Sequence, residues 1–187
     1  MIHYFISDLH LSEKRLDLIQ AFTSLANLIK LKHLETQNTQ LHIVGDFYEA
    51  WIGDDFNPEW NNDIEKCLKS VSSSGCEVYV YHGNRDFLLA ESWAKRVGAT
   101  LVKENKLLEH QSKTIFVSHG DECCLDDIEY QNFRQMVRQK EWQDHVLSMP
   151  LEQRVALASQ LREDSKQSNS GKMLEIMDVD LNEIDRL

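Results

Sequence analysis

Four short apolar runs along the chain have the composition of β-strands. Aromatic and β-branched residues, which favour sheets, are frequent in them. The runs cover residues 3–7, 41–44, 77–81 and 114–117. Because they are short and largely apolar, they indicate strands that lie within a mostly buried sheet.

Helical periodicity fills the gaps between these runs. In the first gap, apolar residues recur at intervals of three or four, at Leu18, Phe22, Leu25 and Ile29. A second helix is predicted from Pro58, a favourable first-turn residue, to Gly75, and a third from Phe87 to Val97. Strands that alternate with helices predict an α/β fold, in which ligands bind beyond the carboxyl ends of the strands.

The pattern changes between residues 125 and 167. Two helical stretches follow one another there with no strand between them, and they are broken near residues 148–150. We interpret this segment as a helical hairpin inserted into one domain that spans residues 1–187. Its apolar residues include Phe133, Met136, Val137, Trp142, Val146, Leu147, Leu151, Val155 and Leu161. Two interpretations stay open: helices packed on the core, or a lid over an apolar substrate.

Length and composition predict a globular protein. The chain has 187 residues, of which 42% are hydrophobic and 27% charged, as in ordinary soluble domains. Its formal net charge is −11, and no dense Lys/Arg run is present, which argues against nucleic acid as a partner. The chain lacks a signal peptide pattern and any run of the ~20 apolar residues that a membrane helix needs. We therefore expect a cytosolic protein with four reduced cysteines.

Polar side chains with metal-binding chemistry follow all four apolar runs. Asp8 and His10 follow the first run, Asp46 the second, Asn84 the third and His119 the fourth. A single Asp-x-His after a strand is more often a turn aspartate beside a packed histidine. Four such strand ends in one chain indicate a metal centre.

Mixed carboxylate and imidazole ligands suit Mn²⁺, Fe²⁺ or Zn²⁺, and two such ions about 3.5–4 Å apart need a bridging carboxylate. We assign the bridge to Asp46. Asp8 and His10 complete the ligands of one ion, and Asn84 and His119 those of the other. A hydroxide held between two ions can attack phosphorus, so the pattern predicts a phosphoesterase.

Arg85 adds a planar set of donors for phosphate oxygens. The alternative role is a salt bridge to Asp86 or to another acid. His3, His42 and His82 lie in or beside the strand-like runs, and we expect them to be packing residues.

These motifs together resemble those of a known family. The pattern Asp-x-His, Gly-Asp, Gly-Asn-Arg-Asp and His-Gly-Asp is similar to that of the calcineurin-like metallophosphoesterases, whose fold is a two-sheet β-sandwich flanked by helices. Within that family, the chain resembles the enzymes that cleave UDP-2,3-diacylglucosamine in lipid A biosynthesis. The matching segments are residues 8–11, 45–55, 82–89 and 165–178. Arginine at position 85 is informative, because many members of the wider family have a histidine there.

The resemblance implies a diphosphatase that uses two Mn²⁺ ions and releases UMP and 2,3-diacylglucosamine 1-phosphate. It implies peripheral, weak association with the cytoplasmic face of the inner membrane, and it makes the helical hairpin a chamber for acyl chains. The substrate contacts that it implies are Asn84, Arg85, Asp127, Ser165, Asn169 and Lys172. Taken without the resemblance, the polar segment 165–172 would be read as a solvated loop.

One departure from the family pattern changes what we expect of this chain. The pattern continues with Gly-His-x-His, but the sequence has no Gly-His dipeptide and its last histidine is His145. Near the end, Leu181, Ile184 and Leu187 share one helical face. We therefore expect a C-terminally truncated chain with weakened metal binding and little activity. Two other hypotheses stay open: a phosphoesterase of a soluble phosphodiester or nucleotide, and an inactive binding scaffold.

Overall fold

The structure is a computed structural model that describes residues 1–169, 172, 178–180, 183 and 184. Two compact units divide the chain, Met1–His119 and Gly120–Leu187. The first contains the strands, and the second is helical in its described part.

A parallel sheet forms the centre of the first unit. Its four strands lie side by side in chain order: β1 (Ile2–Ile6), β2 (Thr39–Val44), β3 (Glu77–Tyr81) and β4 (Thr100–Val102). Because every neighbouring pair is parallel, the carboxyl ends of the strands meet at one edge. The first three strands confirm the predicted runs, and the three-residue β4 was not predicted.

Helices connect the parallel strands. They are α1 (Leu16–Thr36), α2 (Asn62–Ser73), which follows a short 3₁₀ turn at Glu59–Asn61, and α3 (Glu91–Val97). Of the four predicted apolar positions in the first helix, Phe22 and Ile29 are buried, whereas Leu18 and Leu25 are partly exposed. The third begins four residues later than predicted, because the buried residues 87–89 form a turn in which the N–H of Leu89 donates to the carbonyl of Asp86.

The fourth predicted run belongs to a separate sheet. It is β6 (Lys113–Ser118), which pairs with β5 (Asn105–His110) in an antiparallel hairpin. Gln111 and Ser112 form its two-residue turn, with φ of 48° and 65°, as expected for a tight hairpin. Side chains of both strands pack on Tyr81 of the parallel sheet. The first unit therefore has two sheet layers, which agrees with the expected sandwich flanked by helices.

In the described part of the second unit, a 3₁₀ turn at Asp121–Cys123 is followed by three α-helices: α4 (Ile128–Val137), α5 (Lys140–Ser148) and α6 (Leu151–Asn169). The predicted break at 148–150 is present, and a further break at Arg138–Gln139 divides the first predicted stretch in two. The helical pattern at 181–187 lies mostly outside the described residues. No helix in the described part is long and apolar enough to cross a membrane.

Candidate metal centre

The four other predicted metal ligands lie around Asp46. Ligand atoms of Asp8, His10 and Asp46 all lie within 4.8 Å of one another. On another side, Nε2 of His119 lies 3.8 Å from Oδ1 of Asp46. Asn84 also contacts this carboxylate. The predicted convergence is therefore present, although His119 comes from the hairpin rather than from the parallel sheet.

Three of these ligands have a left-handed backbone. The φ angles of Asp8, His10 and Asp46 are 54°, 49° and 51°, a conformation that costs about 1–3 kcal/mol for residues other than glycine. Backbone hydrogen bonds maintain it: the N–H of Asp8 donates to the carbonyl of Gly45 at 3.2 Å, and that of His10 to the carbonyl of Asp46 at 3.0 Å. Strain of this kind is concentrated at functional sites.

Two glycines allow the ligands to approach one another. A Cβ atom on Gly45 would lie 2.3 Å from Nδ1 of His119, and one on Gly83 would lie 2.2 Å from both the backbone nitrogen and Oδ1 of Asp46. Both distances are far below van der Waals contact. The glycines in the Gly-Asp and Gly-Asn motifs therefore make space for neighbouring ligands.

The orientation of His119 is fixed by the backbone. Its Nδ1 lies 3.1 Å from the carbonyl oxygen of Val44, which can only accept a hydrogen bond. A proton therefore resides on Nδ1, and Nε2 is the ring nitrogen that faces Asp46. A backbone partner that fixes the tautomer in this way is typical of metal-binding histidines.

The amide of Asn84 lies directly against Asp46. With its nitrogen turned towards the carboxylate, it donates to the two oxygens at 2.6 and 2.8 Å. Rotation of the amide by 180° points its oxygen to the same place, where it could bind a cation together with the carboxylate. Asn84 thus fits the predicted role of a neutral oxygen ligand.

Burial raises the pKa of Asp46, while His119 and Arg85 oppose this shift. The side chain is only 4% exposed, so its charge has little contact with water and needs local positive charge. Carboxylate, imidazole and amide groups around a buried anion form a donor set that suits divalent transition metals. The residues present therefore fit a metal centre.

Asp86 joins the loops that follow β2 and β3. Its carboxylate accepts hydrogen bonds from the backbone N–H groups of Gly83 (2.8 Å), Phe47 (2.7 Å) and Tyr48 (3.3 Å). Complete burial, with the nearby charge of Asp46, raises the pKa of Asp86 to about 6. Asp86 is therefore part of the framework of the site, and the alternative salt bridges of Arg85 are made with other acids, Glu49 and Asp46.

Arg85 contacts two other acids. Its Nη1 donates to Oε2 of Glu49 at 2.8 Å, and its Nε lies 3.4 Å from Oδ2 of Asp46. Sequence reasoning missed Glu49, which lies three residues after Asp46 in the segment that matches the family. Only that position within the motif could have indicated it.

The remaining predicted substrate residues lie in the second unit. Asp127 accepts a hydrogen bond from the N–H of Tyr130 at the start of α4, and Nζ of Lys172 lies 2.7 and 2.9 Å from its two carboxylate oxygens. Ser165 is exposed on α6. The side chain of Asn169 lies outside the described part. The structure thus brings Asp127 and Lys172 together.

The three histidines predicted to pack within the fold do so. His42 is fully buried and stacks on Phe5 and Tyr79, with ring centroids 4.8 and 5.0 Å apart. His3 contacts His42 through a side-chain hydrogen bond of 3.2 Å. Nε2 of His82 lies 2.8 Å from the carbonyl oxygen of Leu89.

Comparison with known proteins places this site in a family. The calcineurin-like phosphoesterase family matches residues 3–179. A protein of Cellvibrio japonicus named UDP-2,3-diacylglucosamine hydrolase is 42% identical over 184 residues, which cover 98% of this chain and 74% of the relative. Proteins with the same name from Haemophilus influenzae and Escherichia coli O7:K1 are each 40% identical, and the match covers 72% and 75% of their lengths and 94% and 98% of this chain. The chain therefore belongs to the calcineurin-like phosphoesterase family of dinuclear metal-dependent hydrolases.

Proposed function

We propose that this chain cleaves the diphosphate of UDP-2,3-diacylglucosamine to give UMP and 2,3-diacylglucosamine 1-phosphate, a step of lipid A biosynthesis. The observation that carries the proposal is the convergence of Asp8, His10, Asn84 and His119 on Asp46. Relatives about 40% identical over nearly the whole chain have the name UDP-2,3-diacylglucosamine hydrolase, which supports this substrate.

The ligand assignment follows the arrangement around Asp46. Asp8 and His10 would hold one cation and Asn84 and His119 a second, and the carboxylate of Asp46 would be shared by both. Mn²⁺ is the proposed metal, since carboxylate, amide and imidazole ligands suit it. When bound, the two cations acidify a water molecule and neutralise charge on the phosphoryl group.

The protein contributes position and charge to the reaction. His119 keeps its Nε2 directed at the centre because its Nδ1 is held by the carbonyl of Val44. Arg85 has five N–H donors, and its contacts with Glu49 and Asp46 leave donors for a phosphate oxygen. These donors stabilise the negative charge that builds up on the phosphoryl oxygens in the transition state.

The rest of the substrate is assigned to the second unit. Asp127, Ser165, Asn169 and Lys172 offer carboxylate, hydroxyl, amide and ammonium groups, which suit a sugar phosphate. The helices also expose large apolar side chains, at Ile128, Met136, Leu147, Leu151 and Val155, and such a surface suits acyl chains. With an acylated substrate, we propose that the protein works at the cytoplasmic face of the inner membrane through weak peripheral contact.

The test is Mn²⁺-dependent release of UMP from the lipid-linked UDP-sugar. Asp46→Asn keeps the size of the side chain but removes the bridging charge, so we expect the rate to fall by about 10³-fold or more. Asp63→Asn, at an exposed position on α2, is the matched control and should retain the wild-type rate. Equal rates for all three proteins would contradict the proposal.

A second substrate series tests the lipid. A UDP-sugar without acyl chains should be cleaved much more slowly than the acylated one, because it cannot bury apolar surface on binding. Equal rates would indicate a soluble nucleotide sugar as the substrate instead of the lipid, while the assignment as a hydrolase would be unchanged.

A further inference from the structure

We infer that Glu49 is a positioning residue that holds Arg85 beside the metal centre and keeps its guanidinium from pairing fully with Asp46. This inference rests on the proposed role of Arg85 in binding phosphate. It adds to the site a residue that the metal-ligand pattern does not contain.

The contact between Glu49 and Arg85 is short and charge-assisted. Nη1 of Arg85 lies 2.8 Å from Oε2 of Glu49, whereas its Nε lies 3.4 Å from Oδ2 of Asp46. The side chains of Arg85 and Glu49 are 25% and 35% exposed, so the pair is partly shielded from water. Such a pair is stronger than one on an open surface, where the median contribution is about 0–1 kcal/mol.

The backbone fixes both ends of this pair. The N–H of Glu49 donates to the carbonyl of Leu11 at 3.1 Å, and the N–H of Trp51 donates to the carbonyl of Arg85 at 3.1 Å. The N–H of Arg85 also donates to Oδ1 of Asp46 at 3.0 Å. The two side chains therefore start from anchored positions, and little conformational entropy is lost when they meet.

Glu49 divides the charge of the guanidinium between two carboxylates. If Glu49 is removed, the ion pair that remains is the one with Asp46, which is the more buried carboxylate. A guanidinium drawn onto Asp46 would have fewer donors for phosphate and would cover an oxygen that the metal centre needs. Loss of Glu49 should therefore impair phosphate binding through Arg85.

The same oxygen of Glu49 also faces a metal ligand. Oε2 lies 3.7 Å from Nδ1 of His10, so the competing role for Glu49 is to bind or orient the metal. The two roles differ in what they require: a positioning role needs Arg85, whereas a metal role does not. A double-mutant cycle separates them.

The experiment measures the binding of tungstate, a phosphate mimic, to the Mn²⁺-loaded protein by isothermal titration. The proteins are wild type, Glu49→Gln, Arg85→Ala and the double variant. We expect Glu49→Gln to weaken tungstate binding by about tenfold, as for a lost charge-assisted hydrogen bond. In the Arg85→Ala background the same change should have less than about a twofold effect. Glu59→Gln, at an exposed glutamate, controls for the loss of one negative charge and should bind like wild type.

Three results would overturn the inference. They are an equal effect of Glu49→Gln in both backgrounds, wild-type tungstate affinity in Glu49→Gln, and a loss of Mn²⁺ affinity as large as the loss of tungstate affinity. Glu49→Asp, which keeps the charge, should recover part of the affinity if the first variant is unstable, and no recovery would count against positioning. Tungstate carries no nucleotide or lipid, so failure of the protein to hydrolyse UDP-2,3-diacylglucosamine would reject the proposed function without affecting this cycle.

Discussion

The approach of His119 to Asp46 depends on glycine at position 45. Gly45 has a φ of 76°, and a Cβ there would lie 2.3 Å from Nδ1 of His119. We expect Gly45→Ala to displace the imidazole from the carbonyl of Val44 and to weaken Mn²⁺ binding by about tenfold or more, as when an outer partner of a ligand is lost. Titration of the variant with Mn²⁺ measures this loss.

Gly120 provides the matched control. Its φ of 92° imposes a similar backbone strain on alanine, but nothing lies within 4 Å of an added Cβ. Gly120→Ala should therefore reduce stability while leaving Mn²⁺ affinity within about twofold of wild type. If both variants lost Mn²⁺ affinity equally, backbone strain rather than crowding at His119 would be the cause.

Individual ligands were predictable from the sequence, but their supporting residues were not. Asp8 and Asp46 could be identified because each follows an apolar strand, and the carboxyl ends of parallel strands meet at one edge. Glu49 contacts Arg85, 36 residues away in sequence, and Asp86 contacts Phe47, 39 residues away, so both contacts join two distant loops. No local pattern encodes such a pairing.

At the scale of elements, α3 begins at a carboxylate from a distant loop. Oδ1 of Asp54 accepts a hydrogen bond from the N–H of Ala90 at 3.1 Å, and Oδ2 accepts one from the N–H of Trp93 at 2.7 Å. Oδ1 also accepts from the indole N–H of Trp51 at 3.0 Å. Asp54 therefore caps the helix and ties it to the loop after β2.

Asp54→Ala should lower the free energy of unfolding by about 1–3 kcal/mol, because it leaves helix N–H groups without an acceptor. Mn²⁺ affinity should not change, since Asp54 contacts no predicted metal ligand within the described residues. Urea denaturation measures the first quantity and titration the second. Asp63→Ala, which removes an exposed acid from the first turn of α2, should cost less than about 0.5 kcal/mol, and an equal cost for both would refute the capping role.

Some strands and helices could be predicted from the sequence and others could not. β1, β2 and β3 are neighbouring strands of the parallel sheet, and their short, largely apolar runs identify them. β5 has only two apolar residues among its six, Leu107 and Leu108, and β4 has only three residues. The sequence did not predict the late start of α3, because the buried turn at 87–89 continues the apolar pattern of the helix.

The stability of the whole molecule should depend on pH through His42. Burial lowers its pKa to about 4, and the charges of His3 and Lys106 add to this shift while Glu77 opposes it. The value in the folded state is therefore below the ordinary 6.5, so the unfolded chain binds more protons between these values. His42 thus makes the protein less stable as pH falls from 6.5 towards 4.

Replacement of His42 by Phe should remove this contribution. The loss of stability between pH 7 and pH 4.5 should then be smaller by about 2–3 kcal/mol than in wild type, given ~1.4 kcal/mol for each pKa unit. Urea denaturation of the metal-free proteins at both pH values tests the expectation. His145→Phe, in the second unit, should keep the wild-type dependence, and an unchanged dependence in His42→Phe would show that other groups cause it.

Metal binding should stabilise the whole fold, because the metal-free site leaves a buried carboxylate without a divalent cation. Without cations, the chain has a formal net charge of −11 and keeps Asp46 buried with a raised pKa. Mn²⁺ at 100 times its Kd should stabilise the wild type by about 2.7 kcal/mol for each ion bound. Asp46→Asn should abolish that gain, yet the metal-free variant should be at least as stable as the metal-free wild type, because it no longer buries a carboxylate. Thermal unfolding with Mn²⁺ and with a chelator measures both effects. A metal-free variant less stable than wild type by more than about 1 kcal/mol would show that Asp46 serves the fold as well as the metals.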